Sequence, residues 1–270
     1  MHPRKTMVKM PRWNHPQGSS RDRIILEEPL QITLRSGQEG LRLGTILRTP
    51  GHDYELVFGY LFALKLIERA EEVREISYCS SPQDYNRVSV HFRGPLPAAA
   101  HSLRNQDWIH GGCGACGQDE LQVSPPYQVA PLQGPIQVEW LCSLPPLMRA
   151  QQALFHGCGA SHAAGRVSTG QPLAEVREDV GRHNAVDKLV GHLLMNQNLP
   201  AAGDWLLLSG RAGFELVQKA VQAGFSAVAS VGPPSSLAIS YAEQAGLCLV
   251  GFLQPQRFNV YTRPELFSGP

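Results

Sequence analysis

The stretch of sequence that decides the fold spans residues 205–252 and reads WLLLSGRAGFELVQKAVQAGFSAVASVGPPSSLAISYAEQAGLCLVGF. Short apolar runs that are typical of buried strands alternate in it with segments whose apolar residues recur at helical spacing. In chain order we predict a strand at 205–208, a helix at 214–223, a strand at 227–231, a helix at 235–244 and a strand at 247–252. Strands that alternate with helices of about ten residues are typical of a layered α/β sheet with some parallel pairing.

The region before this stretch continues the same domain. Residues 163–167 and 173–178 predict a hairpin of two strands. A helix is predicted from Gly181 to Asn196, because apolar residues recur on one face of it. We therefore assign residues 146–270 to one α/β domain.

The N-terminal half predicts a smaller α+β unit over residues 24–145. The predicted strands are 24–26, 30–34, 43–48, 73–79 and 87–92, and the predicted helix is 53–67. Residues 94–150 are proline-rich and are the least regular part of the chain. Residues 1–23 hold six basic residues against one acidic residue, Asp22, with three prolines between them, and predict a flexible basic arm.

Composition and charge narrow the classes of function. The 270 residues are 43% hydrophobic and 17% charged, which is typical of a folded domain and not of a disordered chain. A formal net charge of +1 gives general nucleic-acid binding no support. No apolar run is long enough to span a bilayer, and no apolar segment follows the basic N-terminus to make a secretory signal. We expect a cytoplasmic protein with reduced cysteines, no membrane partner and no nucleic-acid partner.

Two cysteines in a glycine-rich run, Gly111-Gly-Cys-Gly-Ala-Cys-Gly117, are the main candidates for chemistry. Their small neighbours leave the thiols of Cys113 and Cys116 accessible, and the glycines allow unusual backbone angles. A zinc site would need further ligands from isolated cysteines or histidines elsewhere. A thioredoxin-type dithiol would open a helix, which Gly114 and Gly117 disfavour. The remaining interpretations are a thiolate that accepts an atom and passes it on, and two inert cysteines in a turn.

Three further polar stretches are candidates for binding. Residues 178–188 are dense in charge around His183 and Asp187, which predicts either a salt-bridged helix start or a polar floor under a ligand. Residues 209–211 follow one predicted strand, and residues 252–257 follow the last one. Because the carboxyl ends of strands and the free N–H groups of helix starts favour anions, we expect an anionic ligand at this edge of the sheet.

Taken together, these stretches resemble the FdhD family, the sulfurtransferases that formate dehydrogenase requires for its activity. The resemblance extends from about residue 22 to residue 262. It is strongest in CGACG at 113–117, EDVGRHNAVDK at 178–188, SGR at 209–211 and RFNVYT at 257–262. It implies a cytidine-deaminase-like three-layer α/β/α main domain, a smaller N-terminal α+β domain and a homodimer.

The resemblance also implies a function. Members of the family accept sulfur from a cysteine desulfurase as a cysteine persulfide. They pass it to the molybdenum bis(molybdopterin guanine dinucleotide) cofactor before that cofactor enters apo-formate dehydrogenase. Cys113 corresponds to the persulfide cysteine and Cys116 to its partner, so both are expected to be catalytic. The expected cofactor-binding residues are Phe252, Leu253, Gln254, Pro255, Gln256 and Arg257; the cofactor is then a bound substrate, with no permanently bound cofactor and no metal site expected.

The implied fold raises the question of deamination. Zinc-dependent deaminases use H-x-E and P-C-x-x-C motifs around a metal-bound water. This sequence contains no H-x-E, and Gly112 precedes Cys113 where a proline would be needed. We therefore expect the fold without the deaminase reaction. The alternative function is a non-catalytic chaperone that binds the cofactor or the apo-enzyme and holds a structural zinc on the C-x-x-C loop.

Overall fold

The computed structural model describes residues 5–14, 18–79, 85–103, 109–110 and 126–267. Over these residues the strands are β1 (Met7–Asn14), β2 (Gly18–Ile25), β3 (Glu28–Ser36), β4 (Glu39–Arg48), β5 (Val73–Tyr78), β6 (Arg87–Phe92), β7 (Ile109–His110), β8 (His162–Ser168), β9 (Glu175–Asp179), β10 (Asp204–Leu208), β11 (Ala227–Ser230), β12 (Cys248–Gln254) and β13 (Arg257–Thr262). The helices are α1 (Asp53–Ala63), α2 (Ala98–Ser102), α3 (Val138–Gln151), α4 (Ala153–Cys158), α5 (Arg182–Met195), α6 (Phe214–Gln222) and α7 (Ser236–Ala245). None of these helices is both long enough and apolar enough to cross a membrane.

The chain divides into two compact units whose segments alternate along the sequence. Unit 1 takes the described residues within 1–112, 153–161 and 179–195, and unit 2 takes those within 113–152, 162–178 and 196–270. The sequence-based division, with a boundary after residue 145, assigns α5 to the C-terminal domain instead. The structure differs because α5 packs along α1, which belongs to unit 1.

Unit 1 contains a five-stranded sheet with the order β5-β6-β3-β4-β7. Strand β3 pairs antiparallel with β4 and parallel with β6. Leu30, Ile32 and Leu34 alternate along β3 and are completely buried, as expected for a strand with one face on a core. The predicted strands of this region are confirmed, and β3 and β4 extend beyond the predicted limits.

The described part of residues 1–23, which is predicted to be a flexible basic arm, has regular structure, and its flexibility stays a prediction. Strands β1 and β2 form an antiparallel two-stranded ribbon, and this ribbon packs against α4. A Cβ at Gly157 in α4 would lie only 2.5 Å from the sulfur of Met7, so the two elements are in close contact.

Pro11 does not interrupt the ribbon, because its missing N–H lies on the outer edge of β1. Leu26 donates its N–H to the Thr6 carbonyl (2.8 Å), and hydrogen-bonded pairs alternate along the ribbon from that point. By this alternation Met10 pairs with Asp22 through hydrogen bonds, while Pro11 lies in the next, non-bonded pair. A proline is tolerated at such an edge position.

Helices α1 and α5 cross at very short distance, and two glycines permit the approach. A Cβ at Gly59 would lie 1.9 Å from the Asp187 carbonyl oxygen, and a Cβ at Gly191 would lie 1.8 Å from the Glu55 carbonyl oxygen. No side chain fits at either position. The buried apolar residues around the crossing are Leu56, Val57, Leu61, Val186, Leu189 and Val190.

A buried carboxylate organises the polar interior of unit 1. The Oδ1 atom of Asp179 accepts hydrogen bonds from the Gly181 N–H and the Asn184 side-chain amide, both at 2.9 Å. Its Oδ2 atom accepts from the Thr49 N–H (3.1 Å) and lies 2.7 Å from Lys188 Nζ. Lys188 also donates to the Thr49 carbonyl (3.0 Å). Both charges are completely or almost completely buried, and such burial is tolerated only with partners of this kind.

A second buried ion pair joins the end of β4 to the start of α1. The Arg48 guanidinium donates to both carboxylate oxygens of Asp53 at 3.1 Å. The same carboxylate accepts from the Tyr78 hydroxyl and the Gly51 N–H, each at 3.2 Å. Asp53 also stands in the first turn of α1, where a negative charge is favourable beside the helix dipole.

Unit 2 contains a six-stranded sheet with the order β13-β12-β11-β10-β8-β9. Strands β10, β11 and β12 are parallel neighbours, and β8 and β13 flank them in antiparallel orientation. The strand and helix alternation predicted over residues 205–252 is confirmed, and so is the mixed α/β class. The finer assignment to a cytidine-deaminase-like arrangement stays a prediction.

The sequence pattern does not predict helix α3, because Pro145 and Pro146 lie inside it. Each proline removes a backbone donor and disfavours a helix interior. The helix forms because Leu141, Leu144 and Met148 recur at helical spacing and are buried in the core of unit 2.

Substitution of Gly59 by alanine tests the close crossing of α1 and α5. We expect Gly59→Ala to lower the free energy of unfolding by about 3 kcal/mol or more, because the two backbones must separate to admit a methyl group. Urea denaturation followed by circular dichroism measures this loss. Gly94→Ala is the matched control, since nothing lies within 4 Å of a Cβ at that exposed glycine. Equal stability of the two variants would contradict the crossing.

Substitution of Lys188 by methionine tests the buried charge pair. We expect Lys188→Met to cost about 3–5 kcal/mol of unfolding free energy, because Asp179 stays buried without its counter-charge. The double variant Asp179→Asn/Lys188→Met should recover part of this loss. As a control, Arg12→Gln breaks the exposed pair with Asp22 and should cost less than about 1 kcal/mol. A Lys188→Met loss no larger than that of the control would refute the role assigned to the pair.

Candidate functional site

The carboxyl ends of β10, β11 and β12 lie side by side at one edge of the unit 2 sheet. The connections that leave them are residues 209–213 after β10, residues 231–235 after β11, and residues 255–256 after β12. Ligands of open α/β sheets collect at such an edge, because the loops of parallel strands converge there. The predicted binding stretches 209–211 and 252–257 both lie at this edge.

Backbone hydrogen bonds continue between these connections beyond the ends of the strands. The Val231 N–H donates to the Leu208 carbonyl (3.0 Å), and the Gly232 N–H donates to the Gly210 carbonyl (2.9 Å). The Phe252 N–H in turn donates to the Gly232 carbonyl (3.2 Å). The three connections are therefore held to one another and not only to their own strands.

Two glycines allow these connections to pack without side chains between them. A Cβ at Gly232 would lie 3.0 Å from the Arg211 Cα atom. A Cβ at Gly251 would lie 2.7 Å from the Cδ atom of Pro234. The distance at Gly251 is shorter than real Cβ contacts and the distance at Gly232 is shorter than most of them, so a larger residue at either position would require the neighbouring atoms to shift.

A serine and a histidine stand at the first turn of this edge. Ser209 accepts the Ala163 N–H at its hydroxyl oxygen (2.8 Å), and its own N–H donates to the Ala163 carbonyl (3.0 Å). The half-buried His162 ring lies against the same turn, because its Nδ1 atom would be 3.2 Å from a Cβ at Gly210. An imidazole and a hydroxyl therefore lie beside the backbone of the turn.

Arg211 and the start of α6 supply positive character to the edge. Arg211 is exposed, and in the described part of the chain its guanidinium forms no hydrogen bond or ion pair. No side chain caps α6 at Gly213, whereas the Ser235 hydroxyl caps α7 by accepting the Ala238 N–H (3.2 Å). An uncapped helix start offers N–H groups to an anion, and a guanidinium binds phosphate oxygens in pairs.

Residues 252–257 comprise the end of β12, the tight turn at residues 255–256 and the first residue of β13. Gln254 pairs with Arg257, whose Nε donates to the Gln254 side-chain oxygen (3.0 Å). Five of the six predicted cofactor-binding residues are exposed: Phe252, Gln254, Pro255, Gln256 and Arg257.

Phe252 has an unusual backbone conformation, and Leu253 is the one buried residue of the six. Phe252 has a φ of 52°, in the left-handed region that residues other than glycine rarely adopt, and the residue is 40% exposed. A register shift between Gly251 and Gln254 marks an irregularity of the ladder at this point. Leu253 is completely buried in the core of unit 2, so its side chain does not reach a ligand at the surface.

The charged stretch 178–188 is a salt-bridged helix start, as one of its two interpretations predicts. From Asp179 onward it belongs to unit 1. The side chains of Asp179, Asn184 and Lys188 are buried and engaged with one another or with the backbone around Thr49. These three residues therefore stabilise the fold and do not line a surface pocket.

The cysteines of the C-x-x-C loop, Cys113 and Cys116, lie outside the described residues, and their assignment stays a prediction. Among the described cysteines, Cys142 and Cys248 are buried. Burial raises the pKa of Cys248 to about 12 and also raises the pKa of Cys142, so both stay protonated at neutral pH. The half-buried cysteines are Cys79 and Cys158. No three histidine, cysteine or acidic side chains of the described residues are arranged to hold a metal ion.

The sequence pattern does not assign His162, Ser230 or Gly232 to this edge. Gly232 carries a sequence signal, since it closely follows a buried strand. The Ser230 hydroxyl lies within hydrogen-bond distance of the carbonyls of Gly232 (2.9 Å) and Val250 (3.2 Å). His162 carries no local signal, because it reaches the edge only through the antiparallel pairing of β8 with β10.

Comparisons with known proteins agree over nearly the whole chain. Residues 25–268 match the family described as the FdhD/NarQ family. A sulfur carrier protein FdhD from Nocardia farcinica is 41% identical over 250 residues, which cover 89% of this chain and 86% of that protein. A protein of the same name from Sulfolobus acidocaldarius is 36% identical over 249 residues, which cover 92% of each chain.

A solved structure supports the same relationship. A crystal structure from Desulfotalea psychrophila, of a protein proposed to be a formate dehydrogenase accessory protein, superimposes with a TM-score of 0.70. It is 25% identical in sequence, and the match covers 97% of this chain and 98% of the other. The match of residues 25–268 to the family, together with relatives of about 40% identity, shows that the chain belongs to the FdhD/NarQ family.

Proposed function

We propose that this protein is a sulfur carrier that receives sulfur as a persulfide on Cys113 and delivers it to a guanine-dinucleotide form of the molybdenum cofactor. The observation that carries the proposal is its close similarity, over nearly the full chain, to proteins named sulfur carrier protein FdhD. The sequence retains the two cysteines on which such a role would rest, Cys113 and Cys116.

The chemistry of loading needs only thiols. The Cys113 thiolate attacks the outer sulfur of a persulfide on a cysteine desulfurase, so a new S–S bond forms on Cys113 while the S–S bond of the donor breaks. The donor cysteine leaves as a thiolate, and the exchange involves no net oxidation or reduction. Cys142 and Cys248 are poor competitors for this step, because their raised pKa values keep them in the thiol form.

Delivery of the sulfur assigns a role to the second cysteine. Cys116 attacks the Cys113 sulfur, a disulfide forms between the two residues, and the outer sulfur leaves as sulfide toward the metal of the bound substrate. The two electrons that the sulfide carries come from the two thiols. A cellular dithiol then reduces the disulfide and regenerates the carrier.

The edge of the unit 2 sheet supports the binding half of the proposal. Arg211, Arg257 and the uncapped start of α6 suit the phosphates of a dinucleotide. Exposed Phe252 offers an aromatic face for a purine ring. In this proposal the molybdenum cofactor is a substrate that stays only until it is passed on.

The proposal extends to partners and cell compartment. The sulfur donor is a cysteine desulfurase, the recipient of the completed cofactor is apo-formate dehydrogenase, and the carrier acts as a homodimer in the cytoplasm. The alternative is a chaperone that binds the cofactor or the apo-enzyme without carrying sulfur, with zinc on the C-x-x-C loop.

Sulfur loading is tested by incubating the protein with a cysteine desulfurase and radiolabelled cysteine. We expect label that a reductant releases from the wild-type protein, and nearly complete loss of this label in Cys113→Ala. Cys79→Ala is the matched control, because Cys79 is a half-buried cysteine outside the C-x-x-C motif, and it should keep the label. Undiminished label on Cys113→Ala would refute the assignment. One stoichiometric zinc lost in both Cys113→Ala and Cys116→Ala would favour the chaperone.

Binding at the sheet edge is tested with GDP, which represents the end of a guanine dinucleotide. We expect Arg211→Gln and Arg257→Gln each to weaken GDP binding about tenfold, because each removes charge-assisted hydrogen bonds to phosphate. Isothermal titration calorimetry measures the affinity. Arg74→Gln removes an exposed arginine of unit 1 and should leave it unchanged. Loss of affinity in the control alone would place the site elsewhere.

A further inference from the structure

The β1–β2 ribbon concentrates positive charge in a nearly neutral protein. Residues 5–25 hold five basic side chains and one acidic side chain, a net charge of +4, whereas the whole chain has a net charge of +1. The basic residues of this segment are Lys5, Lys9, Arg12, Arg21 and Arg23. The charge therefore belongs to one element and not to the surface in general.

Three of these cations share one face of the ribbon, and none of them has a counter-charge among the described residues. Lys9 lies directly opposite Arg23, and Arg21 is two residues from Arg23, so the three side chains project from the same face. Among the described residues, no hydrogen bond or ion pair engages their side chains. Arg12 differs, because it lies on the other face and is paired with Asp22 at 2.8 Å.

The strand register places the like charges of Lys9 and Arg23 close together, which is unfavourable unless a bound group compensates them. The hydrogen-bonded pairs that start from Thr6 and Leu26 place Lys9 and Arg23 in a non-hydrogen-bonded pair. Directly opposed residues of such pairs approach most closely, with Cα atoms about 4.5 Å apart. Like charges in this position oppose pairing of the strands. An anionic group bound between them would relieve that repulsion.

We propose that the face formed by Lys9, Arg21 and Arg23 is a docking site for an acidic segment of another protein. Charge complementarity identifies the partner as acidic. The opposite face of the ribbon carries Met10 and Ile24, which are 49% and 41% exposed, and a protein partner that covers both faces would bury them. The phosphate backbone of a nucleic acid would not bury these apolar side chains. The net charge of +1 on the whole chain also does not favour binding of a polyanion.

Protection of the ribbon against aggregation does not account for the cluster. Charged residues and prolines on edge strands commonly prevent pairing between molecules. Pro11 supplies that protection on β1, and a mixed pair such as Arg12 with Asp22 would supply it without repulsion. Three like charges on one face add a cost that protection alone does not require.

The probe for this site is a short labelled peptide that alternates glutamate and valine, with binding to the full chain followed by fluorescence anisotropy. At about 0.05 M salt, where charges are weakly screened, we expect Arg21→Gln/Arg23→Gln to weaken binding about tenfold or more. The matched control is Arg42→Gln/Arg74→Gln, which removes the same number of exposed arginines from unit 1 and should change binding less than about twofold. Thermal melts of both variants exclude unfolding as the cause.

A charge-reversal variant adds a test in which binding to a new peptide is gained, a result that damage to the fold would not produce. Arg21→Glu/Arg23→Glu should lose the acidic peptide and bind a peptide that alternates lysine and valine. Equal weakening by the two glutamine variants, failure of the reversal, or tighter binding of a short oligouridylate than of the acidic peptide would each overturn the proposal. Sulfur loading of Cys113 from a small-molecule persulfide should be unaffected in these variants, so this result is separable from the proposed carrier function.

Discussion

The Asp179 carboxylate is the constraint on which the arrangement of unit 1 depends. It accepts four donors that come from Thr49, directly after β4, and from residues 181–188 at the start of α5, segments about 130 positions apart in the sequence. A buried charge gains little net stability from its partners, but the absence of any one of them is costly. The network therefore selects one arrangement of these segments over others. The glycine crossing of α1 and α5 has the same effect in steric terms, because it permits only one depth of approach.

Buried and exposed charges are used in opposite ways. Unit 1 contains two buried ion pairs, Arg48 with Asp53 and Lys188 with Asp179. Within each pair the opposite charges compensate each other, so these charges do not attract ligands at the surface. At the edge of the unit 2 sheet, Arg211 is exposed and unpaired among the described residues, on a backbone that is fixed by hydrogen bonds between loops. An uncompensated positive charge on a rigid backbone favours recognition of an anion, because the site needs little reorganisation on binding.

Local periodicity was sufficient to predict the strands and helices over residues 205–252 and the sheet edge at which residues 209–211 and 252–257 meet. It was insufficient where tertiary contacts override local preference. The prolines of α3 and of β1 argue against regular structure, yet burial of Leu141 and Leu144 and the outward position of Pro11 permit it. The membership of α5 in unit 1 also depends on distant contacts, since nothing within residues 182–195 specifies α1 as its neighbour. Cys113 and Cys116 remain assigned from the sequence alone.

The position of Pro11 has a consequence for how many molecules the ribbon could join. A chain of ribbons that grows end over end needs two pairing edges on every copy, one to receive a strand and one to offer a strand. The outer edge of β1 lacks a donor at Pro11, and on β2 the Arg23 N–H is already engaged by the Asp22 side chain (2.8 Å). Each edge of the ribbon thus lacks a free backbone donor at one position, which disfavours strand pairing between copies. A partner that binds this ribbon therefore does not start the growth of a filament of ribbons.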